Sequence, residues 1–213
     1  MNNVTALLHA ARDAEQFAKS YFSYVATLLN QLDTTAVASF IRELEAARAA
    51  QRTIFITGNG GSASTASHMA TDFGFVTRAA TQVPPVRVCA LTDNTALLTA
   101  VANDTAYAEV FVAQLRIHYH PGDLLIVVSA SGNSPNVVAA AKWVKERVGK
   151  VLGLIGFDGG ALKALCDVSL HVKTPVGEYG PVEDIHLMLN HLIAAWLRSR
   201  IPAESQLCKP TVA

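Results

Sequence analysis

The stretch Ile56-Thr57-Gly58-Asn59-Gly60-Gly61-Ser62 joins an apolar run, Thr53–Thr57, to a segment of helical character, Ser62–Thr77. A run that apolar reads as a strand buried on both faces, so the chain passes from strand to helix through a glycine cluster. Glycines permit tight turning and let a ligand approach the backbone closely. Ser62 is placed to cap the helix, whose free N–H groups favour an anion. The segment is neither Gly-x-Gly-x-x-Gly nor Gly-x-x-x-x-Gly-Lys-Ser/Thr, which argues against dinucleotide and nucleoside triphosphate binding. By itself it is also compatible with a tight turn that holds nothing.

The same logic recurs downstream. The apolar run Leu124–Val128 ends in Ser129-Ala130-Ser131-Gly132-Asn133-Ser134, with Pro135 at a first helical turn. Three serine hydroxyls and a helix N-terminus make an uncharged cradle for phosphate. Ligands of open α/β sheets bind at the carboxyl ends of the strands, the edge on which both turns fall.

Working outward, the remaining strands are expected at Val86–Leu91, Val151–Ile155 and Val168–Val172. Helices are expected at Thr95–Val101, Ala108–Tyr119, Pro135–Val148, Ala161–Leu165 and from about Val182 to Arg200, stopped by Pro202. The alternation predicts an α/β domain with a doubly wound, five-stranded parallel sheet over 51–200. Before it, residues 1–50 read as a helical extension, with one helix over Val4–Leu32 and a second over Thr35–Ala50, after the break at Asp33-Thr34-Thr35. Having no strands of their own, these helices either wrap the domain or pack on another subunit, and the second, an oligomerising role, is the favoured expectation. The tail, 201–213, shows no pattern.

Composition bounds the function. Of 213 residues, 51% are apolar, and 17 basic side chains balance 17 acidic ones. With no basic excess, no nucleic-acid partner is expected, nor is attraction to a membrane surface. The N-terminus lacks the pattern of a signal peptide, and no run has the length of a membrane span. Cys89, Cys166 and Cys208 show neither metal-ligand spacing nor a disulfide framework, so a cytoplasmic location is expected.

The two turns, taken together, resemble those of the sugar isomerase (SIS) domain, and the resemblance spans nearly the whole chain. The Gly-Asn-Gly-Gly-Ser turn with the histidines that follow is most similar to the phosphoheptose isomerase group. The resemblance implies a flavodoxin-like fold and conversion of sedoheptulose 7-phosphate to D-glycero-D-manno-heptose 7-phosphate for cell-surface carbohydrate synthesis. It implies a homotetramer with shared active sites and one divalent ion, zinc, per site.

His68 and Asp72 lie four apart on the helix after the first turn and so share a face. They fall where the family has a histidine and a glutamate for zinc binding and proton transfer; Asp72 is one methylene shorter. Glu183 stands where the family has glutamine, and His191 where it has its second essential histidine. The implied metal set is His68, Asp72, Glu183 and His191. Glu183 and His191 are eight apart, about 12 Å of rise on one continuous helix. Either Glu183 precedes the helix or the site draws on two subunits; the family's shared sites favour the second.

Aldose–ketose isomerisation through an enediol needs a base at carbon and an acid at oxygen. Asp72 is the candidate base and His191 the candidate acid, with Glu183 the other possible base. Ser129, Ser131 and Ser134 would hold phosphate, with Ala130 where a hydroxyl residue is common. Asn59, Gly60, Gly61 and Ser62 would face the sugar, and Asn103-Asp104 matches a substrate-contact pair. Gly180 stands where the family has an acidic residue. His118, His120 and His171 match nothing, and His186 receives no role. Two other readings are a SIS enzyme acting on an amino sugar phosphate and a non-catalytic module like the DnaA-binding replication regulators.

Overall fold

The computed structural model describes residues 2–77 and 84–200. Three helices come first: α1 (Asn3–Ala10), α2 (Ala14–Asn30) and α3 (Thr34–Ala49). Then β1 (Thr53–Thr57), α4 (Gly61–Thr77), β2 (Arg87–Ala90), α5 (Thr95–Asp104) and α6 (Val110–His118) follow. The chain ends in β3 (Leu124–Ser129), α7 (Pro135–Lys145), β4 (Lys150–Gly156), β5 (Val168–Val172) and α8 (Tyr179–Ser199). All neighbouring strands pair in parallel, in the order β2-β1-β3-β4-β5. This is the expected doubly wound sheet. Its order reverses between β1 and β3, and the crevice at such a switch point is where open α/β sheets bind ligands.

Strand side chains alternate between two cores. Ile54, Ile56, Ile126 and Leu152 face one core with Phe40 and Leu44 of α3, Phe73 of α4 and Ile185 of α8. Phe55, Leu125 and Val127 face the other with Phe111 of α6 and Val137 of α7. The N-terminal helices therefore contribute to the main core: Phe40 and Leu44 are fully buried in it.

Three of the differences between expected and observed helices bear on the architecture. The single helix expected over Val4–Leu32 is two, because Asp13 caps a new one by accepting a hydrogen bond from the Gln16 amide at 2.8 Å. The helix expected at Ala161–Leu165 is one 3₁₀ turn, Ala161–Ala164. The last helix begins at Tyr179 rather than Val182, so Glu183 lies inside it. Pro202, Cys208 and the tail fall outside the described residues. Among the described residues no helix is long and apolar enough to cross a membrane.

Leu44→Ala is expected to lower stability by about 2–5 kcal/mol, the cost of emptying a fully buried leucine site. Phe22→Ala, at a position 70% exposed, should stay within about 0.5 kcal/mol. Urea unfolding of both variants checks this; equal effects would mean that α3 is not part of the core.

Candidate active site

β1 and β3 are neighbours, so the two polar turns that follow them meet at the carboxyl edge of the sheet. They are tied by a reciprocal amide pair. Asn59 Nδ2 donates to Asn136 Oδ1 at 2.8 Å, and Asn136 Nδ2 donates to Asn59 Oδ1 at 2.8 Å. The Tyr107 hydroxyl donates to the same Asn59 oxygen at 2.9 Å. The Asn59 side chain is thus engaged in holding the turns together, with Asn136 almost fully buried beneath it.

Between the turns lies a cleft of about 290 Å³. The first turn lines it with Asn59, Gly60, Gly61 and Ser62, and the second with Ser129, Ala130, Ser131 and Ser134. The three serines are not equivalent. Ser129 Oγ accepts from the Gly132 amide at 3.1 Å and closes its own turn. Ser131 Oγ accepts from the Asn133 amide at 3.3 Å. Ser134 makes no side-chain cap to α7, so its hydroxyl is available to a ligand. Gly132 is held at φ +64°, and a Cβ there would run into the Gly159 carbonyl oxygen, so only glycine fits.

The third wall comes from α8. Tyr179 and Glu183 line the cleft, and the Glu183 carboxylate lies so close to Gly61 that a Cβ at position 61 would overlap it. Burial, and then the neighbouring Asp184 carboxylate, raise the Glu183 pKa above the ordinary glutamate value. Tyr179 was not singled out from the sequence, because its place in the cleft follows from the earlier start of α8. Asn136 was missed because it reads as an ordinary residue of a helical first turn.

Farther along α4 is a second constellation. His68 Nε2 lies 3.4 Å and His191 Nε2 4.0 Å from Asp72 Oδ2. The two imidazole rings stand edge to face, 5.0 Å between centroids. One ligand atom from each of the three residues falls within 4.8 Å of the others. Ligands about 2 Å from a tetrahedral zinc ion lie roughly 3.3 Å apart, so small side-chain movements would close this set on an ion. Two imidazoles and a carboxylate suit zinc, and three protein ligands leave one position open for substrate or water.

Two sequence expectations are redrawn here. Glu183 stands in the cleft, outside the His68–Asp72–His191 cluster of its own chain. His68 and His191 meet within one chain, because α4 and α8 run parallel in contact from Gly61–Glu183 to Asp72–Asn190. Asn103 and Asp104 end α5, exposed and hydrogen-bonded to each other at 2.9 Å, and do not line the cleft. His186 is fully buried, and burial pushes its pKa down to about 4, which keeps it neutral.

The SIS domain family profile matches residues 20–156. The phosphoheptose isomerase of Nitratidesulfovibrio vulgaris (Miyazaki F) is 41% identical over 145 residues, 67% of this chain and 66% of that protein's length. The phosphoheptose isomerase of Desulfovibrio desulfuricans is 36% identical over 184 residues, 86% of this chain and 81% of that protein. In solved structures, the phosphoheptose isomerase of Neisseria gonorrhoeae superposes with a TM-score of 0.77 at 27% identity, covering 88% of this chain and all of that one. The chain belongs to the SIS-domain family, within its phosphoheptose isomerase group.

Proposed function

We propose that the chain isomerises sedoheptulose 7-phosphate to D-glycero-D-manno-heptose 7-phosphate. The observation that carries this reading is the pairing of an uncharged phosphate cleft with a histidine–carboxylate cluster on the same two helices. In the cleft, helix N-termini and the Ser131 and Ser134 hydroxyls bind the phosphate. Asp72 takes the proton from the carbon next to the carbonyl and returns it to the neighbouring carbon. His191 serves the oxygens as they exchange carbonyl and hydroxyl character. A divalent ion held by His68, Asp72 and His191, zinc by the donor set, would polarise those oxygens.

The spacing of the two constellations supports a site shared between protomers. Positions 68 and 72 lie seven and eleven residues beyond Gly61, about 10 to 16 Å of helical rise. An extended chain gains about 3.5 Å per three bonds, so the eight bonds from C1 to phosphorus span roughly 9 Å. The substrate then lies in one protomer's cleft with its carbonyl end against another protomer's cluster. The homo-oligomer, a tetramer, would cover the outer side of α8, where Met188, Leu192 and Trp196 stand 46%, 49% and 41% exposed at a spacing of one turn. A binding module without chemistry would have no use for the cluster.

Ser134→Ala should raise KM about 10-fold or more, since a hydrogen bond to a charged group is worth about 1.5–3 kcal/mol. An unchanged KM in steady-state assays would remove Ser134 from the phosphate site.

The roles of the carboxylates separate in Asp72→Asn and Glu183→Gln. As base, Asp72 should lose at least 100-fold in kcat on conversion to asparagine. Glu183→Gln should act mainly on KM; the reverse pattern would assign the base to Glu183.

Sharing is tested by subunit mixing. Ser131→Ala/Ser134→Ala protein has a disabled cleft and an intact cluster, and His68→Ala protein the opposite. Hybrids reassembled from the two should recover activity, whereas His68→Ala mixed with His191→Ala should not. No recovery in the first mixture would place the whole site within one chain.

A further inference from the structure

We propose that Asn190 is a positioning residue that fixes the Asp72 carboxylate for its work. The proposal rests on the reading of Asp72 as base and metal ligand. Asn190 sits on α8 one residue before His191 and is fully buried where α4 packs on α8. Its Nδ2 donates to Asp72 Oδ2 at 2.7 Å. That oxygen also faces both imidazoles. A carboxylate only accepts, so the amide nitrogen has to be the group turned toward it. With Oδ2 engaged by Asn190, the carboxylate plane is set, and Oδ1, which receives no hydrogen bond among the described residues, is left for the reacting proton or a ligand.

The other half of the amide argues that this bond serves more than packing. Asn190 Oδ1 is buried and has no hydrogen-bond partner among the described residues. An unpaired buried acceptor destabilises a fold, and a leucine would fill the same volume without it. Residues of the α8 core face around it, Leu189 and Ile193 among them, are apolar apart from His186 one turn earlier. At position 190 the helix therefore carries a polar group at a cost to stability where that group reaches the catalytic carboxylate. Groups that orient a metal ligand from behind typically change metal affinity or activity by 10–100-fold when removed.

The test is Asn190→Leu in the full-length chain, stripped of metal and titrated with Zn²⁺ against a chromophoric chelator. Thermal unfolding and steady-state turnover of sedoheptulose 7-phosphate follow on the same protein. The expected result is a Tm equal to or above that of the wild type and an unchanged KM. Alongside these, Zn²⁺ affinity and kcat should each fall by about 10–100-fold. A lowered Tm with affinity and kcat within twofold of the wild type would make Asn190 purely structural and overturn the proposal. Should Asn190→Leu fail to fold, Asn190→Ser, too short to reach Asp72, is read by the same criteria. Wild-type protein that takes up no Zn²⁺ would overturn the metal reading and the proposal with it. A wild type that binds Zn²⁺ and variants that bind it equally well would overturn the proposal alone.

Discussion

The close parallel contact of α4 and α8 is the constraint from which the site follows. At its start the helices approach so nearly that position 61 has no room for a side chain beside Glu183. Eleven residues on, Asp72 and Asn190 are hydrogen-bonded across the same seam. A Cβ at 61 would meet the carboxylate end of the Glu183 side chain and displace it from the wall of the cleft. One helix seam thus carries both a wall of the proposed phosphate cleft and the assembly of the histidine–carboxylate cluster.

The two ends of that seam do different chemistry. At the cleft, the attraction for an anion comes from backbone N–H groups and hydroxyls, with no lysine or arginine among the described lining residues. An uncharged cradle binds a phosphate ester without fixing a counter-charge near the reacting carbons. Glu183 stands beside this cradle, its pKa raised above the ordinary glutamate value by burial and then by Asp184. At the cluster, by contrast, ionisable groups are concentrated and partly open to solvent, as the proposed proton transfer and metal binding would require. The amide pair of Asn59 and Asn136 keeps the first of these sites rigid, since a loose turn would lose the alignment of N–H groups toward a single point.

Local features of this design could be read from the chain. The strands of β1, β3 and β4 are continuous apolar runs, and the turns after β1 and β3 announce themselves through glycine and serine. His68 and Asp72 share a helix face by spacing alone. What could not be read depends on contacts distant in sequence. Nothing local shows that α8 runs parallel to α4, so Glu183 was assigned to the cluster and a second subunit was invoked to bring it together with His191. Asn59 offers an amide that looks free for a sugar; its engagement by Asn136 and Tyr107 exists only once β1 and β3 are side by side. The break at Asp13 was missed because helical periodicity runs through it, and the cap is one side-chain hydrogen bond. Asn190, with His186 one of two polar residues on an otherwise apolar face of α8, was a signal with no partner visible in the sequence.

The central claim, proton transfer through an enediol on a seven-carbon sugar phosphate, is most directly tested by NMR of sedoheptulose 7-phosphate with the Zn²⁺-loaded protein in deuterated water. The account predicts that the aldose 7-phosphate forms, with deuterium entering at C2 to the extent that the proton held by Asp72 exchanges with solvent. Failure to form aldose above the protein-free control would contradict it.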